Sequence, residues 1–250
     1  MVAALSLGTL LIASFMWWEA RVPAPMLPLR LLRVRAFTAA NATGFLSMAT
    51  ITSAAFMMSQ FFQLGLGYSP FATGLRFLPW TATPLLVAPV AGPLGDRIGS
   101  MPLMATGMAL QAAGLGWTAL EVTSGAGYPE LVLPLVIAGV GISMAIPTTP
   151  TAALSAVPAP DIGTASGVQN TLQRFGAVFG VAIVSAIFSA SGHLGSAAGV
   201  LSGVRPALAA SAGLSLLGAS AALAVGRRRE PAAAVAPAKP APAVAATGRR

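Results

Sequence analysis

The sequence has no cysteine, one histidine (His193) and only six acidic residues in 250. Without thiols there is neither a disulfide framework nor a thiolate metal centre, and a lone imidazole cannot hold a metal by itself. Lysine is almost absent too: Lys239 is the only one, near the C-terminus. No apolar run can therefore supply the amine of a retinal Schiff base, which argues against a seven-helix light-driven pump or receptor. No stretch combines a nucleophile, a base and an orienting group, so an enzyme is not expected. No cofactor is expected either. The formal charge of +8 does not point to nucleic acid, because the basic residues flank apolar runs instead of alternating with stacking aromatics.

What fills the chain is apolar. Hydrophobic residues make up 56% and charged ones 8%, and the mean hydropathy is +0.79, more than a water-soluble domain can hide. Runs of about 18 or more residues with little charge recur, each long enough to cross a hydrocarbon core as a helix. The expected fold class is all-α, a polytopic membrane bundle of about seven helices, at residues 2–18, 37–64, 70–92, 101–120, 131–153, 165–190 and 205–226. The lipid bilayer is its first partner. After Arg227 the sequence turns Ala/Pro-rich with basic ends, and residues 227–250 read as a disordered tail.

Charge sets the expected orientation. Arg21, Arg30, Arg33 and Arg35, then Arg97, then Arg227 to Arg229 fall on one side if seven spans alternate, while Glu121 and Glu130 lie on the other. The positive-inside rule makes the arginine side cytoplasmic, so the N-terminus is expected outside and the C-terminus inside. Arg205 is the exception. Residues 1–18 lack the basic start and cleavage site of a signal peptide. Trp17, Trp18 and Glu19 suit the interfacial end of a span. A first span that begins at Met1 leads to the expectation of further sequence upstream.

Between two apolar runs stands "GPLGDRIG", residues 92–99. Gly92, Gly95 and Gly99 allow a tight turn, Pro93 and Pro102 punctuate helix ends, and Asp96 is suited to the positive start of the next helix. Gly92, Asp96, Arg97 and Gly99 are candidates for a conformational latch; an ordinary cytoplasmic turn is the alternative. The stretch resembles the G-x-L-x-D-R-x-G signature of major facilitator superfamily transporters. Where that family's pattern usually continues with basic residues this chain has Ser100, Met101 and Pro102, which looks like the weaker copy in a C-terminal half. "PLRLLRVRAFTAAN", "FFQLGLGYSPFATGLRFLPW" and "VPAPDIGTASGVQNTLQRFGAVFGVA" resemble the fourteen-span drug/proton antiporter branch, so the likeness covers most of residues 17–226.

The resemblance implies a linker helix and cytoplasmic loop (1–36), a six-helix C-terminal half (37–226) and the tail (227–250). It implies efflux of lipophilic, drug-like or small organic compounds by proton-coupled antiport in a bacterial inner membrane, when the chain is completed by an N-terminal half or a second transporter chain. A truncated or noncatalytic membrane subunit without transport of its own is the alternative.

Candidate path residues follow from polarity inside apolar runs. Asn41, Thr52, Ser59 and Gln63 fall near one face of a helix, and suit either a substrate path or interhelical hydrogen bonding. Phe56, Met57, Met58, Phe61 and Phe62 would offer a soft surface to varied substrates or simply pack. Arg76 lies in "ATGLRFLPW", and Asn170 and Arg174 in "NTLQRFGAVFG". Arg174 suits a cavity or gate, or an interfacial anchor. Gly163/Gly167 and Gly176/Gly180 have small-xxx-small spacing, best explained by close helix packing. No acidic residue lies well inside a span, so protons enter the account through the resemblance alone.

Overall fold

The computed structural model describes residues 30–123 and 127–223, with Asp96 in its backbone alone, together with Gly8, Leu10, Leu11, Ala13, Ser14, Trp17, Trp18, Arg21 and Val22. The expected span 2–18 falls largely, and the tail 227–250 wholly, outside these residues. Trp17 and Trp18 are helical and exposed, and the Arg21 guanidinium lies 3.8 Å from the Trp17 ring.

Eight α-helices follow among the described residues: α1 (Arg35–Gln60), α2 (Pro70–Arg76), α3 (Leu78–Thr81), α4 (Thr83–Ile98), α5 (Ser100–Glu121), α6 (Tyr128–Leu154), α7 (Ile162–Ser191) and α8 (Ala197–Leu223). Local chemistry sets their starts. Ser69 caps α2 by accepting from the Ala72 amide at 3.2 Å, with Pro70 in the first turn. Ser196 does the same for α8 through the Gly199 amide at 3.1 Å. Glu130, in the first turn of α6, accepts from the Gly127 amide at 3.1 Å. α1 ends in a π turn, Phe61–Gly65, in which the Leu66 amide reaches back to the Phe61 carbonyl.

Two expected boundaries shift. The last span starts at Ala197 rather than 205, because Pro206 is accommodated inside α8. The motif "GPLGDRIG" is not itself an inter-helix turn: residues 92–98 are the last turns of α4, and the chain reverses only at Gly99, whose φ of +92° suits glycine. Asp96 thus belongs to the end of α4 and not to the start of α5.

By length and hydropathy, four of the described helices can cross a membrane: α1 with its π turn, α6, α7 with the turn before it, and α8; α2 to α4, bent by 44°, make a fifth if taken as one span. α5 is missing from that set although its 22 residues would reach about 33 Å. Its apolar run is diluted by Thr106, Gln111 and Thr118, and Gln111 is fully buried between neighbours.

α1 packs against α6, α7 and α8, α5 sits between α6 and α8, and α4 lies along α6. Small residues set these distances. A Cβ on Gly176 or Gly180 would collide with the backbone of Phe45 or Ala49, so α7 rides directly on α1. A Cβ on Gly114 would lie 2.6 Å from the Pro134 carbonyl oxygen, and one on Gly107 2.6 Å from that of Gly141. In lipid, where helices gain nothing from hiding apolar surface, such contact supplies the attraction. Gly163 and Gly167 have open space instead, so the expectation of close packing fails for that pair among the described residues. One apolar cluster, around Phe61, Phe62, Leu115, Leu131 and Leu208, fills the end where α1 finishes. Another, around Leu31, Phe37, Ala153 and Ala165, fills the end where it begins.

Coverage is uneven. Only 17% of the most apolar stretch of α7 is buried, against 50% for α1, 56% for α6 and 44% for α8. Phe71, Leu85, Leu86 and Val90 on α2 and α4 are also uncovered.

Candidate functional site

The site begins with an irregularity in α6. Its last two turns read "IPTTPT", residues 146–151. Pro147 and Pro150 have no N–H, so the carbonyls of Ser143 and Ile146 lose their usual helical donors. Neighbouring hydroxyls turn inward along the same stretch: Thr148 donates to the Met144 carbonyl at 2.8 Å and Thr149 to that of Ala145 at 2.8 Å. These bonds go to the carbonyls beside the freed ones, and proline is tolerated in a membrane helix where protein or a cavity adjoins the freed backbone.

Beside this stretch lies a cavity of ≈ 100 Å³. α1 contributes Gly44, Ser47 and Met48, α6 contributes Ile146, Thr149 and Pro150, and α7 contributes Gln173. Gly44 is needed there, since a Cβ would come within 2.8 Å of the Thr149 methyl. The volume suits a few waters, each taking about 30 Å³, and is below the roughly 300 Å³ at which drug-sized sites start. Its lining is mixed, with Ser47, Thr149 and Gln173 set among Gly44, Met48, Ile146 and Pro150. Nearby helices carry buried polar atoms with no partner, Asn41 Oδ1 on α1 and Gln169 Nε2 on α7, which call for water or a ligand group.

The candidate residues separate. Asn41, Thr52, Ser59 and Gln63 do share a face of α1, but none lines the cavity. Thr52 donates across to the Ala177 carbonyl of α7 at 3.1 Å, Asn41 donates to its own Phe37 carbonyl at 2.8 Å, and Gln63 donates to Ser59 Oγ at 2.9 Å. Met57, Met58, Phe61 and Phe62 are fully buried packing residues, and Phe56 alone of that group is exposed.

Arg76 is held at the far end of the bundle. Its guanidinium lies 3.7 Å from the Tyr68 ring and 5.3 Å from the Tyr128 ring, and Nη1 donates to the Ala72 carbonyl at 3.1 Å. This clasp joins the α1–α2 turn, α2 and the start of α6. Asn170 and Arg174 are exposed on α7, and Asn170 donates to the Ser166 carbonyl at 3.0 Å. Of the latch residues, Gly92, Arg97 and Gly99 surround the end of α4; Gly92 faces open space and Arg97 is exposed. The Asp96 side chain lies outside the described residues. A Cβ on Gly95 of the same motif would lie 3.4 Å from Leu103 of α5 and 3.6 Å from Thr148 of α6.

Sequence reasoning missed Ser47, Thr149, Pro150 and Gln173. The two prolines and three threonines in "PTTPT" were the available signal, since polar and helix-breaking residues inside an apolar run need a local reason. It also missed the ion pair of Arg30 with Asp161, 2.7 Å, which ties the segment before α1 to the turn before α7. Residues so far apart in sequence offer no periodicity to pair them. Among the described residues no group of three or more His, Asp or Glu gathers to hold a metal.

Comparison with known proteins places this geometry in context. The sequence profile of the Major Facilitator Superfamily matches residues 2–181 and, in a second overlapping match, 40–249. Multidrug resistance protein Stp of Mycobacterium tuberculosis is 30% identical over 71% of this chain and 33% of its own length. Multidrug efflux pump LfrA of Mycolicibacterium smegmatis is 30% identical over 75% of this chain and 37% of its own. The tetracenomycin C resistance and export protein of Streptomyces glaucescens is 29% identical over 74% of this chain and 34% of its own length. The chain thus spans about a third of the length of the curated relatives it matches.

Proposed function

Because the chain belongs to the Major Facilitator Superfamily, a family of membrane carriers, we propose that it supplies one six-helix half of an exporter of lipophilic small molecules. It is a multi-pass inner-membrane protein, and its relatives are named for multidrug and antibiotic export. The supporting observation is the cavity between α1, α6 and α7, to which Ser47, Thr149 and Gln173 bring polar groups and which adjoins the least covered helix of the bundle. A polar face at membrane depth is tolerated only against water or other protein. In the proposal a second half closes over it, and alternating access exposes it to each side in turn.

The remaining parts of the reading belong to the same proposal. Residues 1–36 form a linker helix and loop, 37–226 the half itself and 227–250 a cytoplasmic tail, with the N-terminus outside. Export is coupled to protons taken up by carboxylates of the partner half. Within α1 to α8 the acidic residues are Asp96, Glu121 and Glu130, all within a turn of a helix end. Asp96 and Arg97, at the end of α4, latch the cytoplasmic turn in one state.

The test is co-expression of this chain with residues corresponding to the N-terminal half of Stp, in a bacterium deprived of its own drug exporters. Reduced accumulation of a fluorescent lipophilic dye is expected with both halves and not with either alone, and Asp96→Asn should abolish the effect at unchanged membrane level. Normal accumulation with both halves present in the membrane contradicts the proposal and favours a noncatalytic subunit.

A further inference from the structure

The end of the bundle where α1 begins is stopped by a segment that is part of none of the helices α1 to α8. Leu31–Arg33 forms a 3-10 turn ahead of α1, and Leu31 is only 2% exposed. It joins Phe37 and Ala40 of α1, Ala152 and Ala153 of α6 and Ala165 of α7 in one apolar cluster. Those are the three helices that line the cavity. Ala40 lies four residues before Gly44 and Ala153 four after Thr149, so the stop sits about one turn, roughly 5–6 Å, beyond the cavity.

The segment is tied down differently on its two sides. Toward α1 the ties are local: the Val34 amide donates to the Leu31 carbonyl at 3.1 Å, and Thr38 Oγ1 to the Leu32 carbonyl at 2.7 Å. Toward α7 the tie is the ion pair, Arg30 Nη2 to Asp161 Oδ1 at 2.7 Å. Asp161 stands directly before α7, where a carboxylate commonly caps the first amides. Its side chain makes no such cap and is turned to Arg30 instead. Val34, extended at φ −77° and ψ 105°, separates the turn from α1. Swinging about Val34 gives up the ion pair and the Thr38 bond and leaves the bond from Val34 to Leu31 intact. Between the stop and the cavity polarity returns: along their helices Asn41 and Gln169 fall between the two sets of residues, both buried, with Asn41 Oδ1 and Gln169 Nε2 unbonded. An end built to stay shut would be apolar there, since such atoms call for water.

We infer that Arg30–Val34 is a strap over one mouth of the cavity: Leu31 is the stop, the Arg30–Asp161 pair is the catch, and swinging about Val34 opens the mouth to water and solutes. The inference rests on reading the cavity as part of a path, and adds how one end of that path is closed. The Arg30 side chain is 71% exposed and that of Asp161 13%. A pair with one partner in water holds weakly, because the arginine is readily hydrated when it leaves. Asp161 is not stranded by the departure, since it still faces the positive start of α7. The strap therefore has two tolerable positions.

The test uses the full chain in phosphatidylcholine nanodiscs, where a charged methanethiosulfonate reaches both faces. Thr149→Cys reports on the cavity, and Ala119→Cys, buried in the apolar cluster at the opposite end, reports on general loosening. Arg30→Gln and Asp161→Asn should each accelerate labelling of Thr149→Cys by about three- to tenfold. Leu31→Ala should do the same with the ion pair left in place, whereas Arg30→Lys, which keeps the charge, should stay near the original rate. Labelling of Ala119→Cys should remain slow throughout. An unchanged rate at Thr149→Cys in Arg30→Gln and Leu31→Ala, or a rate in Arg30→Lys as high as in Arg30→Gln, overturns the strap and leaves the path intact. Equal acceleration at Ala119→Cys would show that the pair merely holds the fold together, and also overturns it. No labelling of Thr149→Cys in any form overturns strap and path together. Arg30→Gln replaces an exposed side chain, so it decides the matter if Asp161→Asn or Leu31→Ala fails to fold.

Discussion

Gly180 and Gly167 lie on the same helix and carry the same residue type, yet their surroundings make opposite demands. A side chain at Gly180 meets the Ala49 backbone, whereas Gly167 faces open space. Gly180→Leu should therefore destabilise the detergent-solubilised protein by about 1–3 kcal/mol. Gly167→Ala should leave it unchanged or gain up to about 1 kcal/mol from helix propensity. Thermal unfolding of the two variants checks this, and equal losses would contradict the packing account. Arg76 makes a second residue-scale case. Its contacts with the Tyr68 and Tyr128 faces predict a loss of about 1–2 kcal/mol for Arg76→Ala. Tyr128→Phe keeps the ring and gives up only a long 3.4 Å bond to the Arg76 carbonyl, so it should change little. A larger loss for Tyr128→Phe than for Arg76→Ala would show that the ring–cation contact is not what holds the turn.

Among the elements, α6 carries the clearest departure from regularity. Pro150 both lines the cavity and leaves the Ile146 carbonyl without a helical donor. Pro150→Ala restores an amide there and should let the helix close at Thr149. The expected outcome is equal or higher thermal stability with impaired export in the completed transporter, read by dye accumulation. Unimpaired export would mean that the break serves only folding. The elements show how far the sequence could be read. Apolar run length placed α1, α6 and α7 to within a few residues, because span length is dictated by the bilayer. It failed at the start of α8, where Arg205 and Pro206 looked like a boundary but are accommodated within the helix, and at "GPLGDRIG", whose glycines and Pro93 suggested a turn that comes only at Gly99. Periodicity puts Asn41, Thr52, Ser59 and Gln63 near one face, and of these Thr52 bonds across to α7 while Gln63 bonds to Ser59. That face's neighbour was not legible, because periodicity fixes which residues share a face but not which helix that face meets.

At the scale of the whole molecule, the described bundle is well covered around α1, α5 and α6 and poorly covered along α7 and α4. α7 is polar over its first turns, with Asn170, Gln173 and Arg174, and apolar beyond them. The central claim is that this polar stretch and the adjoining cavity face water in a transport path. The absence of cysteine from these 250 residues makes the claim directly measurable, because an introduced thiol is the only one among them. Thiols react as thiolates, which form in water and not in hydrocarbon. The decisive measurement is the rate at which a charged, water-soluble methanethiosulfonate labels Thr149→Cys and Gln173→Cys in native membranes, compared with Leu85→Cys and Phe179→Cys on the apolar surfaces. The account predicts rapid labelling of the first pair and little of the second. Labelling confined to Leu85→Cys and Phe179→Cys, or absent from Thr149→Cys and Gln173→Cys alike, would contradict a water-filled path between α1, α6 and α7.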